Sequence, residues 1–214
     1  MKVLVVGAHG KVGRHIVSQL NQSEGHEVTA MIRDESQKET IEAWGADNTV
    51  IADLEGDISH AFSDKDAVVF AAGSGPSTGG DKTLLIDLWG ALKTIDESVK
   101  QGVKRFVMLS AMRAEDPESG PEKIRHYLVA KKLADDHLAA TGLDYTIVRP
   151  GPLTNEEGTG NARIAPLLHG VDGQITREDT ARVIVETLET ENTIGKTFDV
   201  LNGSEDIETA LKNL

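Results

Sequence analysis

Tyr127 and Lys131 are the two residues whose types and spacing point most directly to acid–base chemistry. They lie four positions apart in a segment with a helical pattern, so their side chains share one helix face. An ammonium group beside a phenol favours the phenolate and lowers the tyrosine pKa from its ordinary value of about 10. We therefore expect a phenol at Tyr127 that donates or accepts a proton near neutral pH. The same spacing also arises by chance, and such a tyrosine then belongs to the core or the surface.

Ser110 directly follows the apolar segment 104–109, which we predict to be the fifth strand of the chain. In an open α/β sheet, ligands bind outside the carboxyl ends of the strands, and Ser110 lies at such an end. Its hydroxyl could hold a carbonyl oxygen within hydrogen-bond reach of Tyr127. The candidate catalytic residues Ser110, Tyr127 and Lys131 therefore suit reversible hydride transfer, whereas we expect the neighbouring His126 on the surface.

A glycine pattern near the start of the chain predicts where a cofactor would bind. Gly7, Gly10 and Gly13 follow an apolar run of strand length and precede a helical pattern, which is typical of a strand, a tight turn and a helix N-terminus. A helix N-terminus with glycines before it favours a phosphate group, although an ordinary strand–helix turn has the same pattern. The candidate cofactor-binding residues of this turn are Gly7, His9, Gly10, Lys11, Val12 and Gly13. The turn is not a Walker A loop, because Val12 replaces the Ser or Thr that would bind Mg²⁺.

Arg33 lies at the end of the second predicted strand, where dinucleotide sites choose between two cofactors. An acidic residue there binds the ribose 2′-hydroxyl, whereas a basic residue accommodates a 2′-phosphate. Arg33 comes before Asp34, and Lys38 follows at the start of the next helix. The sequence thus favours NADP(H), with NAD(H) as the alternative if Arg33 and Lys38 are only solvated surface charges.

Strands alternate with helices along the whole chain, which predicts an α/β fold with a doubly wound parallel sheet. The first four strands look apolar on both faces, as in a sheet that is covered on both sides. We expect one domain over residues 1–214, with an irregular segment at 153–173 and a small substrate-side cap formed by about 151–180. The predicted strands end near residues 6, 32, 51, 72, 109, 148 and 201, and the later helices span 81–100, 122–140, 177–188 and 205–214.

The loop 73–80 contains G-x-S-x-G at positions 75–79, which is also the nucleophile-elbow pattern of hydrolases. An elbow places its serine at the immediate end of a strand, whereas Ser77 follows the apolar run by several residues and comes after Pro76. A flexible Gly/Ser loop explains the pattern equally well. A serine hydrolase acting through Ser77 is therefore a remote alternative.

The composition limits the class of protein. The net charge of −13, from 22 basic and 35 acidic side chains, argues against nucleic acid or an anionic membrane as a partner. The chain has no cysteine, and its seven histidines lack metal-binding spacing, so we expect no metal site. The first apolar run is too short for a signal peptide, and a cytoplasmic location is the default expectation.

These motifs together resemble the atypical short-chain dehydrogenases/reductases, NAD(P)H-binding proteins often described as NmrA-like or sugar epimerase-like. The resemblance covers nearly the whole chain. It rests on Gly7-x-x-Gly10-x-x-Gly13, Asp53-Leu54, Ala71-Ala72-Gly73, Ser110, Tyr127-x-x-x-Lys131 and Arg149-Pro150-Gly151.

The resemblance implies a Rossmann fold and a set of cofactor contacts. It places Arg33 at the adenosine 2′-phosphate, and Asp53 and Leu54 on either side of the adenine. It places Ala72 and Gly73 beside the ribose, with Ala71 in the same cofactor-binding set. It places Lys131 on the nicotinamide ribose, and Pro150 and Gly151 against the nicotinamide. The short sequence after the sixth strand leaves little room for a pocket that would hold a large nucleotide sugar.

The function expected from these features is an NADP(H)-dependent oxidoreductase, or an epimerase-like enzyme, acting on a small carbonyl or alcohol. The alternative is a non-catalytic NADP(H)-binding redox sensor, which needs the glycine turn but not Tyr127 or Lys131. Residues that flank the motif ends are candidate substrate contacts: Ser74, Met112, Arg113, Leu153, Thr154 and Asn155. Arg113 could pair with a substrate anion or be a surface charge. Apolar faces on the helices after strands four and five could form a homodimer or simply cover the sheet.

Overall fold

The computed structural model describes residues 1–75, 77–168 and 170–214. Within these ranges the strands are β1 (Lys2–Val6), β2 (Glu27–Ile32), β3 (Asn48–Ile51), β4 (Ala67–Phe70), β5 (Arg105–Leu109), β6 (Asp144–Pro150), β7 (Leu153–Thr154), β8 (Asn161–Ala165), β9 (Ile175–Thr176), β10 (Lys196–Asn202) and β11 (Glu205–Asp206). The main sheet has the order β11-β8-β10-β6-β5-β4-β1-β2-β3, and β7 pairs with β9 separately.

Seven neighbouring strands of the main sheet, β3-β2-β1-β4-β5-β6-β10, are parallel to one another. Their order, β3-β2-β1-β4-β5-β6, is that of the doubly wound dinucleotide-binding fold. In this order the chain reverses direction across the sheet between β1 and β4. The Rossmann-type α/β fold predicted from the sequence is confirmed, and the crevice at the reversal lies above the carboxyl ends of β1 and β4.

Helices cover both faces of the sheet. They are α1 (Gly13–Gln22), α2 (Lys38–Ala43), α3 (Gly80–Lys82), α4 (Ala91–Gln101), α5 (Arg125–Ala139), α6 (Arg177–Glu189) and α7 (Ile207–Lys212). A π-helical segment, Thr83–Gly90, joins α3 to α4. Strand β1 shows the physical basis of the two layers, because its side chains alternate between two apolar clusters. Val3 and Val5 pack in the cluster with α1 and α6, whereas Leu4 and Val6 pack in the cluster with α4.

The structure corrects two details of the predicted architecture. The segment 153–173 is not wholly irregular, because β8 runs antiparallel to β10 within the main sheet. Strand β3 is not buried on both faces, because it is the last strand of the sheet, and Asn48 and Ile51 at its ends are exposed. Both differences depend on which strands become neighbours, which a single strand's composition does not specify.

The helices after β4 and β5 carry more apolar surface than the sheet covers. Ile95 and Leu138 are fully buried, whereas Trp89 is 52%, Leu133 48% and Val129 41% exposed. Covering the sheet therefore explains only the buried apolar residues of these helices. A homodimer that forms through the exposed apolar residues stays a proposal. None of the helices formed by the described ranges has the length and apolar character needed to span a lipid bilayer.

Candidate active site at the carboxyl edge of the sheet

The glycine turn between β1 and α1 is closely packed at two of its three glycines. Gly7 has φ +87°, and a β-carbon there would lie 2.5 Å from the backbone nitrogen of Ala72, just past β4. A β-carbon on Gly13 would lie 2.2 Å from the carbonyl oxygen of Gly7. Gly10 is exposed, and its added β-carbon would meet only that same oxygen, at 3.0 Å. Gly7 and Gly13 thus allow the backbone to pack, while Gly10 lies on the open side of the turn.

The N-terminus of α1 is suited to an anion. Its N-cap residue, Val12, has no side chain that can accept a hydrogen bond, and the first turn contains no acidic residue. The amides of Arg14 and His15 donate only to backbone carbonyls, of Gly10 and Val12. The amides and the positive end of the helix dipole therefore lack a charged partner from the helix itself. This arrangement fits the pyrophosphate of a dinucleotide. Nearby, the exposed His9 stacks on Trp44 at a centroid distance of 5.7 Å, a contact that the sequence did not predict.

The end of β2 presents a basic and not an acidic side chain. Asp34 accepts a hydrogen bond from the amide of Ser36 at 2.8 Å and caps the short 3₁₀ helix Glu35–Gln37. Hydrogen bonds from Ser36 lower the pKa of Asp34. Arg33 is exposed and anchored through its backbone amide, which donates to Gln37, while Lys38 lies 3.9 Å from Glu35. The carboxylate next to Arg33 is thus engaged in its own turn.

Ser110, Tyr127 and Lys131 come together at the carboxyl end of β5. Lys131 is 3% exposed, and its Nζ donates to the carbonyl oxygen of Leu109, the residue before Ser110, at 2.9 Å. The same nitrogen lies 5.8 Å from the centre of the Tyr127 ring and 5.8 Å from the centre of the Phe70 ring. Helix α5 therefore carries Tyr127 and Lys131 on one face, toward the ends of β4 and β5, as the four-residue spacing predicts.

The electrostatics of Tyr127 differ from the sequence-based expectation. Burial raises the pKa of Tyr127, and the carboxylates of Asp87 and Asp135 add to that rise. Lys131 lowers the pKa of Tyr127, as expected, but by less than burial raises it. The phenol is therefore protonated at neutral pH in the protein alone, and the prediction of a lowered pKa is wrong for this state.

Asp135 and Arg149 form a buried cluster with Ser110, and the sequence analysis assigned neither of them a role. The Ser110 hydroxyl donates to Oδ2 of Asp135 at 2.8 Å, and Arg149 Nε donates to the same oxygen at 2.9 Å. Burial raises the pKa of Asp135, while Arg149 and the Ser110 hydrogen bond oppose that rise. The spacing of Tyr127, Lys131 and Asp135, each four residues apart on α5, was the signal available in the sequence. The expected role of Ser110 as donor to a carbonyl differs from this geometry.

A buried carboxylate on the π-helical segment holds the loop after β4. Asp87 is 1% exposed, and its Oδ2 accepts a hydrogen bond from the backbone amide of Ser74 at 3.0 Å. A β-carbon on Gly73 would lie 3.0 Å from the other oxygen of Asp87. The π-helical geometry, which is common at functional sites, thus places Asp87 beneath the 73–74 turn.

The other residues of the predicted cofactor set lie at the same edge, and several have structural contacts of their own. Asp53 accepts a hydrogen bond from the Glu55 amide at 2.9 Å, and Leu54 is 6% exposed beneath Gly90. A β-carbon on Gly151 would lie 2.4 Å from Leu201. The remaining members follow β4 or end β6: Ala71 and Ala72 are partly buried, Gly73 is exposed, and the Pro150 carbonyl accepts from Met112.

The candidate substrate contacts and Ser77 differ from one another in exposure and in hydrogen bonding. Arg113 adopts φ +70°, which is uncommon outside glycine, and its guanidinium donates to the Ser119 carbonyl at 3.0 Å. Arg177 donates to the Leu153 carbonyl and to Asn155, which ties the segment after β6 to α6. Ser77 is exposed in a turn well past the end of β4. The G-x-S-x-G pattern includes Pro76, which lies outside the described residues.

Comparisons with known proteins identify the family of this chain. A family model described as NAD(P)H-binding matches residues 7–191. The uncharacterized sugar epimerase YhfK of Bacillus subtilis is 45% identical over 217 residues, covering 100% of both chains.

Two solved structures are also similar over the whole chain. A Bacillus halodurans protein, named for NAD-dependent epimerases/dehydratases, has a TM-score of 0.98 and 56% identity, covering 100% of both chains. The oxidoreductase ylbE of Lactococcus lactis has a TM-score of 0.90 and 32% identity, covering 100% of this chain and 96% of its own. The match to the family model over most of the chain, together with these full-length similarities, shows that the chain belongs to the NAD(P)H-binding family.

Proposed function

We propose that this protein is an NADP(H)-dependent oxidoreductase that acts on a small carbonyl or alcohol. The observation that carries the proposal is the meeting of Ser110, Tyr127 and Lys131 at the same sheet edge as the glycine turn. The names of two similar proteins, a sugar epimerase and an oxidoreductase, support NAD(P)-dependent chemistry without deciding between the two reaction types.

The dinucleotide, when bound, supplies a nicotinamide carbon that gives or takes a hydride. The α1 N-terminus and Gly10 would hold its pyrophosphate. Arg33 would pair with the 2′-phosphate, because Asp34 is engaged in its own turn and leaves the arginine as the available partner. This arrangement supports NADP(H) over NAD(H).

Tyr127 would handle the proton of the substrate oxygen. Because burial raises the pKa of Tyr127, the residue enters the reaction with its proton in place. A protonated phenol can donate a hydrogen bond to the oxygen of a carbonyl or of an alcohol, so this protonation state supports a role for Tyr127 with either substrate class. Lys131 would stabilise the phenolate that forms when Tyr127 gives up its proton, because its ammonium group is positively charged.

A redox sensor without catalysis is the second candidate, and two observations are compatible with it. Lys131 donates to the Leu109 carbonyl, and the pKa of Tyr127 is raised and not lowered. A sensor would keep the glycine turn and Arg33 but would not depend on the Tyr127 hydroxyl.

Titration with NADPH and NADH, followed by nicotinamide fluorescence, is the first test. We expect tighter binding of NADPH, and Arg33→Ser should reduce the preference by about tenfold, the equivalent of one charge-assisted hydrogen bond. Lys38→Ser is the matched control, because it removes a nearby positive charge that already lies beside Glu35. Equal binding of both cofactors by the wild-type protein would refute the role of Arg33.

A screen for NADPH oxidation with small aldehydes and ketones then separates the two candidates. Tyr127→Phe should lower carbonyl reduction by at least a hundredfold while leaving NADPH affinity unchanged. Carbonyl reduction that survives this substitution would refute Tyr127 as the acid, and NADPH binding without any turnover would favour the sensor.

A further inference from the structure

The hydroxyl of Ser110 belongs to a buried chain of hydrogen bonds. Ser110 is 3% and Asp135 2% exposed, and the Ser110 oxygen lies 2.8 Å from Oδ2 of Asp135. Arg149 binds the same Oδ2 through two nitrogens, Nε and Nη2, each at 2.9 Å. A second carboxylate, Glu115, lies 3.5 Å from the Arg149 guanidinium. Ser110 directly follows β5, Asp135 lies on α5 and Arg149 lies on β6.

The direction of the Ser110 hydrogen bond follows from the chemistry of its partner. Oδ2 of Asp135 receives one contact from Ser110 and two from Arg149, whose nitrogens can only donate. An oxygen that accepts two arginine donors has no place for a proton of its own. Any proton that Asp135 takes up would be on Oδ1, which has no hydrogen-bond partner within the described residues. Ser110 therefore donates to Oδ2 whether Asp135 is ionised or neutral.

A serine hydroxyl has one proton and two lone pairs. Once the proton is committed to Asp135, the oxygen has only lone pairs to offer to a ligand. We propose that Asp135, held by Arg149, is a positioning residue that makes Ser110 a hydrogen-bond acceptor, so that the site selects a ligand group that donates a hydrogen bond. This inference deepens the proposed function, since it names a hydroxyl-bearing ligand as the preferred one.

The surroundings of the pair reinforce this polarity. Lys131 donates to the carbonyl of Leu109, so the backbone group beside Ser110 is also committed within the protein. The protonated Tyr127 is a hydrogen-bond donor on the same helix as Asp135. An acceptor at Ser110 and a donor at Tyr127 match the two hydrogen-bonding roles of one alcohol oxygen, which donates to the first and accepts from the second. A ketone oxygen can satisfy only Tyr127.

The first experiment observes the Ser110 proton directly and needs neither cofactor nor substrate. In protein labelled with ¹³C-serine, a hydroxyl proton locked to Asp135 exchanges slowly with water and can be observed through its β-carbon. Ser110→Ala assigns the resonance. We expect slow exchange in the wild type and in Asp135→Asn, whose amide oxygen can replace Oδ2, and loss of the resonance in Asp135→Ala. Fast exchange in the wild type, or a resonance that persists in Asp135→Ala, would overturn the proposal.

The second experiment measures the binding of para-fluoroacetophenone and of its corresponding secondary alcohol by ¹⁹F NMR. Both compounds are titrated into cofactor-free protein, so neither is turned over. We expect the alcohol to bind about tenfold more tightly than the ketone, because the ketone leaves the Ser110 lone pairs unpaired. Asp135→Asn should keep this ratio, whereas Ser110→Ala should bring it close to one. Equal binding of the two compounds to the wild type would overturn the selectivity.

Different results would refute the proposed oxidoreductase function and the role of Ser110 as a hydrogen-bond acceptor. Loss of NADPH binding, or normal turnover in Tyr127→Phe, would refute the proposed function while a slowly exchanging Ser110 proton still supported its role as acceptor. Should Asp135→Ala not fold because it leaves Arg149 without its main partner, the comparison of Ser110→Ala with Asp135→Asn still decides the selectivity, since Ser110→Ala keeps the ion pair.

Discussion

The glycine turn offers a sharp test, because its glycines should fail for different reasons. In Gly13→Ala the new β-carbon would lie 2.2 Å from the Gly7 oxygen and 2.8 Å from the Ala8 oxygen. The Gly7 carbonyl cannot easily retreat, because it accepts a hydrogen bond from the Gly10 amide at 2.9 Å. The first turn of α1 must therefore move away from β1 by about 1 Å to reach an ordinary contact distance.

The expected loss of stability follows from two opposing effects. Overpacking of this kind costs about 1–3 kcal/mol, whereas the replacement of glycine by alanine in a helix gains up to about 1 kcal/mol. Because the β-carbon would lie 2.2 Å from a backbone oxygen, we take about 2–3 kcal/mol for the overpacking cost. The net loss is then about 1–2 kcal/mol, which corresponds to a decrease in Tm of roughly 2–8 °C for a chain of this size. Urea unfolding followed by circular dichroism measures it.

Two other glycines provide controls. A β-carbon on Gly142 meets nothing within 4 Å, so Gly142→Ala should stay within about 0.5 kcal/mol of the wild type. Gly10→Ala should lose less stability than Gly13→Ala but bind NADPH about tenfold more weakly, because its side chain occupies the open side of the turn. Wild-type stability in Gly13→Ala, or unchanged NADPH affinity in Gly10→Ala, would refute this division of roles.

Burial raises the pKa of Tyr127 above its ordinary value of 10.0, so the protonated phenol contributes to stability below pH 10 and this contribution is lost above pH 10. In urea unfolding, the difference in stability between the wild type and Tyr127→Phe should therefore shrink above pH 10. Arg105, whose pKa burial lowers to about 10, donates to the carbonyls of Asp144 and Thr187, so Arg105→Met should cost about 3 kcal/mol, and a loss under 1 kcal/mol would contradict the structure. If the exposed Trp89 contributes to a homodimer, sedimentation should find a dimer that Trp89→Glu converts to a monomer, whereas a wild-type monomer would exclude this interface.

Local patterns were sufficient to predict most of the fold. The apolar run before Gly7, the helical spacing after Gly13 and the repeated strand–helix alternation identified a doubly wound sheet, because each signal comes from residues that are close in sequence. Strands β2 and β3 end at Ile32 and Ile51, where the sequence predicts their ends. The four-residue spacing likewise placed Tyr127 and Lys131 on one face of α5, and the position of Ser110 at a strand end followed from the same pattern.

Contacts between distant segments were decided only by the tertiary structure. Strand β8 pairs with β10 at the side of the sheet beyond β6. The residues of segment 161–165 do not by themselves specify this partner. Asp135 became part of the site because β5 and β6 place Ser110 and Arg149 beside the same carboxylate oxygen. The pKa of Tyr127 moved upward and not downward because burial, a property of the whole fold, outweighs the single neighbouring charge that spacing reveals.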